Sequence, residues 1–211
     1  MKRTRTFTTL ALLFILLLTS NYNVNAATTV TKTNGTQKIE ETKYTYSEYY
    51  EYLIEQKEYE QANNFRKTHP ITRYITKRSC PSWVDYIKVI KFSDPQGEIF
   101  NIITVFAVEI HEHTQLPIQA ITSYVEGTAN IKVNGVSGLK WINDFDPIVT
   151  IADNKYSVKI QGNGSLCGEI DVQAKAGFEA LGFSFGVTTG TKIYTSMDKY
   201  IEHTWHSMTD K

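Results

Sequence analysis

The chain has 211 residues, 41% of them hydrophobic, and its 22 basic side chains balance 22 acidic ones. This length allows one domain with a hydrophobic core plus a tail or a pro-segment. Lys2, Arg3 and Arg5 lie in the export signal described next, so the remaining chain is mildly acidic. Such a balance argues against nucleic acid as the main ligand, because counterion release requires clustered Lys and Arg.

Residues 1–26 have the composition of a secretory signal peptide. A basic head is followed by an uninterrupted apolar run over residues 10–18, and Val24-Asn25-Ala26 places small residues where a signal peptidase reads them. The apolar run is shorter than the roughly 20 residues of a permanent transmembrane helix. We therefore predict cleavage after Ala26 and a secreted, extracellular protein, with an uncleaved membrane anchor as the alternative.

Cys80 and Cys167 are the two cysteines of the chain, and both follow the signal. In an oxidising compartment the first expectation is one disulfide bond that closes a long loop, worth about 4 kcal/mol in the chain-entropy model. Two free thiols or an intermolecular bond are the alternatives. Neither cysteine adjoins a histidine or belongs to a C-x-x-C pair, which argues against a catalytic cysteine.

Residues 27–43 are rich in threonine and have little to bury, which predicts a flexible tail. The next segment, 44–78, opens on a capping box in which Thr45 is the cap and Glu48 follows it by three positions. Apolar residues then recur at three- and four-residue spacing: Tyr46, Tyr49, Tyr50, Leu53 and Ile54. We predict one amphipathic helix over residues 46–67, whose tyrosine-rich stripe suits a half-hydrated interaction surface better than a deep core.

The end of segment 44–78 is a basic linker, with Lys77-Arg78 directly before Ser79. One interpretation of these charges is a solvated connection between the helix and the next domain. The alternative is a protease site after Arg78 that separates a helical pro-segment from a mature domain over residues 79–211.

Over residues 79–211 the apolar period becomes two, which is typical of β-strands. Candidate strands cover residues 83–92, 98–113, 117–124, 129–133, 139–142, 148–152, 156–161 and 166–176. Asn134-Gly135 predicts a hairpin between the fourth and fifth of these strands, and Asp153-Asn154-Lys155 predicts one between the sixth and seventh. The chain is therefore expected to be mainly β, with an antiparallel β-sandwich or barrel-like domain preceded by the one amphipathic α-helix.

The strand predicted over residues 98–113 shows a long alternating pattern. Its apolar face is expected to hold Phe100, Ile102, Thr104, Phe106, Val108 and Ile110. The turns between the candidate strands are too short for parallel crossovers, which excludes a doubly wound nucleotide-binding fold.

Residues 177–190 form a distinctive local pattern. Interpreted as a strand, they have a bulky face of Leu181, Phe183, Phe185 and Val187 and an opposite face of small residues. One interpretation is a sharply coiled strand whose small face lies under a neighbour. The other is a membrane-inserting amphipathic hairpin, because the alternation is broadly similar to the Ser/Thr/Gly-rich insertion hairpins of β-pore-forming toxins.

Two histidines, His111 and His113, fall on the same face at the end of a predicted strand. Neutral imidazole is a common zinc ligand, so these two with His203 from another strand form a feasible zinc site. Exposed strand-end histidines without a metal are the alternative. The sequence has no hydrolytic H-E-x-x-H motif, and the letters G-x-S-x-G at 182–186 stand in a strand pattern without the following helix that this motif requires.

Three functions are compatible with these patterns. The first is a secreted, non-enzymatic β-domain that needs no cofactor and recognises a protein or cell-envelope component through its surface. The second is a secreted antimicrobial or pore-forming protein that contacts a membrane through residues 177–190. The third is a metal-binding secreted hydrolase built on His111 and His113. The style of the signal and the scarcity of cysteines fit a bacterial secreted protein.

Overall fold

The structure is a computed structural model that describes residues 28–34, 37–69 and 82–207. Two antiparallel β-sheets pack face to face, and helices α1 (Tyr46–Glu55) and α2 (Tyr59–Thr68) cover the outer face of one of them. The predicted mainly β, sandwich-like class is therefore confirmed. The predicted signal peptide, Cys80 and the predicted cleavage point after Arg78 lie outside the described residues.

Sheet A is the six-stranded sheet that carries the helices. Its strands are β1 (Thr28–Asn34), β2 (Gln37–Tyr44), β3 (Trp83–Gln96), β4 (Phe100–His113), β5 (Gln119–Tyr124) and β6 (Asn130–Asn134). The first five follow chain order across the sheet, and β4 is long enough to pair with β5 along one part and with β6 along another. Each neighbouring pair is antiparallel.

Sheet B is the five-stranded sheet on the other side of the core. Its strands are β7 (Leu139–Asn143), β8 (Ile148–Ile151), β9 (Ser157–Asp171), β10 (Ser184–Thr189) and β11 (Lys192–His206). β10, β11 and β9 lie side by side, and β7 and β8 pair with successive parts of β9. The predicted hairpin between β8 and β9 is confirmed, and Lys155 in its turn has a φ of 62°.

The core lies between the two sheets, and strand β4 supplies much of one wall. Its buried inner face consists of Phe100, Ile102, Thr104, Phe106, Val108 and Ile110. This is the face that the alternation predicted. Leu166 of β9 and Ile201 and Trp205 of β11 pack in the same core from sheet B. Full burial of one such apolar side chain contributes about 1.5–3 kcal/mol, so the paired inner faces hold the sheets together.

The helical segment is broken where the sequence predicted one helix over residues 46–67. The capping box at its start is confirmed, because the Thr45 side chain accepts a hydrogen bond from the Glu48 N–H and the Glu48 carboxylate accepts one from the Thr45 N–H. The break lies at Lys57, whose φ of 64° puts its backbone in the left-handed region. This turn allows α2 to fold back beside α1, so both helices contact sheet A.

The tyrosine-rich stripe of α1 lies against sheet A, which corrects the predicted interaction surface. Tyr46, Tyr49 and Leu53 are only 1–3% exposed and pack with Phe65 of α2 on the outer face of the sheet. Tyr50, the fourth residue predicted for that surface, is half-buried beside them. β3 and β4 carry buried apolar residues on both faces, and such strands need a cover on each side.

Strands β1 and β2 correct the prediction of a flexible tail over residues 27–43. Threonine is β-branched and suits a pleated strand, and β3 offers β2 an edge to pair with. Ile39 of β2 packs against the core, and Glu41 is buried on the inner face. Composition alone missed this hairpin because the strand that orders it lies far along the chain.

Three further local predictions change. Asn134-Gly135 does not close a hairpin, because β6 belongs to sheet A and β7 to sheet B, and the loop crosses between the sheets.

The strand predicted over residues 166–176 ends at Asp171, where a 3₁₀ turn leads into helix α3 (Lys175–Ala180). The strand predicted over residues 177–190 shortens to β10, because α3 instead buries its one aromatic side chain in the core.

Candidate functional site

The outward side of sheet B is a solvent-facing surface that no described helix or strand covers. Along β9 and β11 alternate side chains point away from the core, and β7 and β8 extend the surface on one side. We call this surface the open face. Its central residues are Ile142, Ile148, Lys159, Gln161, Ser165, Cys167, Tyr194, Asp198, Tyr200 and Glu202.

Four large hydrophobic or aromatic side chains of the strands are exposed on the open face. Tyr200 is 56% exposed and Tyr194 is 48% exposed. They lie on the same side of β11, about 20 Å apart at the usual rise of a strand. Ile142 of β7 and Ile148 of β8 are 55% and 52% exposed on the far side of β9 from β11. A solvated sheet face normally carries polar side chains, so this group of aromatic and aliphatic residues is typical of a contact surface.

Hydrogen bonds hold the side chains around Tyr200. Gln161 Nε2 donates to Tyr200 Oη at 2.5 Å and to Glu202 Oε2 at 2.8 Å, and Tyr200 Oη donates to the same carboxylate at 2.6 Å. Lys159 Nζ lies 3.2 Å from Glu202 Oε1. The hydrogen bond from Tyr200, with those from Gln161 and Lys159, lowers the pKa of Glu202 to about 2. Because these groups are already ordered, a partner that binds here loses less free energy to side-chain ordering.

A second polar group lies around Cys167. Ser165 Oγ donates to Asp198 Oδ1 at 2.6 Å. Cys167 is half-buried beside Tyr194, and a hydrogen bond with the thiol raises the pKa of that phenol. The predicted disulfide partner, Cys80, lies outside the described residues, so the disulfide bond stays a prediction.

The two neighbouring histidines of the predicted zinc site lie beside Trp83 at one end of β4. The ring of His111 stacks on the indole at 4.5 Å with an interplanar angle of 4°, and His113 meets its edge at 4.7 Å. His111 Nδ1 lies 2.5 Å from Asp85 Oδ1. His113 Nδ1 accepts hydrogen bonds from the backbone N–H groups of residues 115 and 116. Each imidazole therefore already has a partner within the chain.

His203, the third predicted zinc ligand, lies in a different part of the molecule. It is buried on the inner face of sheet B, stacks on Phe92 at 4.5 Å, and has Nε2 2.9 Å from Asp94 Oδ2. Asp94 is nine positions along β3 from Asp85, or about 30 Å in a strand. The structure therefore does not assemble the predicted site, and the described residues contain no group of three or more His, Cys, Asp or Glu placed to hold a metal.

The bulky face predicted over residues 177–190 is not continuous. Gly182, with a φ of 90°, turns the chain between α3 and β10. Phe183 is buried, Leu181 and Phe185 are half-buried against the same core cluster, and Val187 is 82% exposed. β10 has six residues, fewer than the about 9–11 of a membrane-spanning strand. None of the helices in the described ranges has the length and apolarity to cross a membrane.

The open face was not predicted, because residues 192–206 were not among the candidate strands with assigned bounds, although His203 was expected on a strand. A period-two signal was present there. Ile201, His203 and Trp205 are buried and alternate with the exposed Tyr200 and Glu202. The polar His203 lies on the buried face and the aromatic Tyr200 lies on the exposed face. Both weaken the alternation of apolar and polar residues, so hydropathy alone does not reveal the strand.

Comparison with known protein families, with curated proteins and with solved structures finds no match for the chain. The open face presents exposed rings, aliphatic side chains and ordered donors and acceptors on one surface. Such an arrangement can bind a complementary surface by shape and hydrogen bonding.

Proposed function

We propose that this chain is a secreted, non-enzymatic recognition protein whose open face binds a protein or cell-envelope component. The observation that carries the proposal is the pair of exposed tyrosines, Tyr194 and Tyr200, on a sheet face that no described element covers. Tyrosine supplies a large, rigid contact area with few rotatable bonds and a hydroxyl for hydrogen bonding. Ile142 and Ile148 extend the apolar part of this contact surface.

The charges of the open face support a partner other than nucleic acid. Asp198 and Glu202 lie on β11, and Lys159 lies beside Glu202 on β9. Mixed charges of this kind fix the register and specificity of a protein-like contact. Nucleic acid requires clustered cations, whereas a protein surface or a polar envelope polymer matches mixed donors and acceptors.

The double variant Tyr194→Ala/Tyr200→Ala tests this proposal. Both side chains are about half exposed, so their truncation leaves the core intact. Tyr59→Ala is the matched control, because Tyr59 is 57% exposed on α2, away from the open face. Co-sedimentation of the secreted protein with intact cells and with isolated cell wall measures binding. We expect the double variant to bind at least about tenfold more weakly, and the control to bind like the wild type.

Three results would contradict the proposal. Equal binding by the wild type and the double variant would remove the open face from the contact. Equal weakening in the double variant and in Tyr59→Ala would show a general effect of tyrosine loss. A wild-type protein that sediments with neither preparation would contradict an envelope partner.

One observation supports pore formation as a second candidate function. Val187 is 82% exposed on β10, and in the described chain β10 pairs on one side only, with β11. If the protein acts on membranes, it should release dye from liposomes, and Val187→Asp should abolish the release. Phe183→Asp is unsuitable as a test because Phe183 is buried and the charge would unfold the chain. An inert wild type would end this candidate.

A further inference from the structure

A cavity of about 290 Å³ lies between α2 and the loop that follows β5, on the side of sheet A opposite the core. Its apolar wall consists of Leu53, Phe65, Tyr124 and Val125, of which all but Tyr124 are buried. A cavity of about 150 Å³ with apolar walls can hold benzene. The cavity under α2 is about twice that size and has room for two fused rings.

Hydrogen bonds keep the walls of this cavity in place. Gln61 Nε2 donates to the Gly127 carbonyl oxygen at 2.5 Å and ties α2 to the loop. Thr128 Oγ1 donates to the Val125 carbonyl oxygen at 2.7 Å and accepts from the Ala107 N–H at 3.0 Å, which ties the loop to β4. The cavity is therefore formed before a ligand enters, as most small-molecule sites are.

The charges around the cavity favour a cation. Glu126 is the one carboxylate among the lining residues, and none of them is Lys or Arg. His69 also lines the cavity, and its Nε2 lies 3.8 Å from a carboxylate oxygen of Glu109.

We propose that this cavity is a binding site for a small aromatic amine. The ring system occupies the apolar wall of Leu53, Phe65 and Val125, and the ammonium group lies toward Glu126. This site is separate from the open face, which lies on the other sheet. It therefore does not depend on the proposed recognition function.

Isothermal titration of the secreted protein with tryptamine, and in parallel with indole-3-propionate, tests the proposal. These probes share the ring and differ in the sign of the charge. We expect one saturable site for tryptamine and at least about tenfold weaker binding of the acid. Glu126→Gln should remove most of this preference, because the amine then loses its partner carboxylate.

Two adjacent asparagines of α2 supply a matched pair of variants. Asn64 lines the cavity and Asn63 does not, and both are exposed. Asn64→Trp should fill the cavity and abolish tryptamine binding, and Asn63→Trp should leave it unchanged. Val125→Phe fills the same space from the loop, so it repeats the test if Asn64→Trp does not fold. Absence of saturable tryptamine binding, equal affinity for the acid, or binding that survives both filling variants would overturn the proposal.

Discussion

Glu41 and Lys88 form an ion pair that is buried between the two sheets. Lys88 Nζ lies 3.1 Å from Glu41 Oε2, with 11% and 7% of the two side chains exposed. Lys32 of β1 reaches the other oxygen of Glu41 at 2.5 Å. Burial alone would raise the pKa of Glu41, but the hydrogen bond from Lys32 and the ammonium group of Lys88 help to lower it on balance. These contacts fasten the β1–β2 hairpin to β3.

Removal of the charge on Glu41 should strongly destabilise the fold. Glu41→Gln leaves the Lys88 ammonium buried without a carboxylate, and we expect a loss of about 3 kcal/mol in the free energy of unfolding. Lys38→Gln is the control, since it breaks an ion pair with Glu40 in which Lys38 is 50% exposed. Such a surface pair contributes about 0–1 kcal/mol. Urea denaturation measures both variants, and similar losses in the two would refute a special role for the buried pair.

Glu109 should make the stability depend on pH. Its carboxylate accepts hydrogen bonds from Tyr46 and Ser123 and lies 3.8 Å from His69 Nε2. The contact with His69, together with these hydrogen bonds, lowers the pKa of Glu109 from 4.5 to about 2. A carboxylate with a lowered folded-state pKa stabilises the protein above its unfolded pKa, and the stabilisation is lost as the pH falls from about 4.5 toward 2.

The test compares the wild type with Glu109→Gln by urea denaturation at pH 7 and pH 3. We expect a difference in unfolding free energy of about 2–3 kcal/mol at pH 7, which falls by about half at pH 3. Tyr46→Phe removes one donor and should give a smaller dependence on pH. A difference between wild type and Glu109→Gln that is equal at the two pH values would disprove the assignment.

The sequence correctly predicted those elements whose structure depends only on residues close together in the chain. The capping box at Thr45 and the alternating face of β4 needed only backbone geometry and the burial of one side. The buried stripe around Tyr49 was predicted as an exposed surface because its burial depends on Ile87 and Ala107 of sheet A. Periodicity shows that a helix has an apolar side, but not what covers it.

The candidate sites were harder to predict because they depend on strand register and sheet pairing. His111 and His203 both lie on strands, but they contact opposite ends of β3. His111 stacks on Trp83 and His203 stacks on Phe92, so they are too far apart to share a metal. The open face depends on β11 pairing with β9, which places Gln161 beside Tyr200 and Glu202. Neither relation is present in a single segment of the sequence.

Gly164 of β9 should not tolerate a side chain. A Cβ atom at this position would lie 2.3 Å from the Ile142 carbonyl oxygen and 2.8 Å from the Trp141 ring. Gly164→Ala is therefore expected to destabilise the protein by about 1–3 kcal/mol through overpacking between β9 and β7. Gly186→Ala is the control, because its Cβ would meet Tyr194 at an ordinary 3.7 Å. Thermal unfolding should separate the two variants, and equal midpoints would contradict this account of the β7–β9 contact.

A cut after Arg78 should not release the N-terminal segment from the folded protein. Strand β2 pairs with β3 over residues 38–44, and α1 and α2 cover apolar residues on the outer face of sheet A. Separation would expose Ile87, Val89 and Ala107 to water and unpair the edge of β3. We therefore expect residues 27–78 to remain bound to residues 79–211 after cleavage.

Limited proteolysis followed by size-exclusion chromatography tests this expectation. Mass spectrometry should find both fragments in one peak in native buffer and in separate peaks in denaturant, and it also identifies the first residue of the purified chain. An uncut sample is the control for the elution position. Elution of residues 79–211 alone as a folded species would instead support a dispensable pro-segment. Sheet A would then need another cover for Ile87, Val89 and Ala107, because an exposed apolar patch of this kind promotes association between copies.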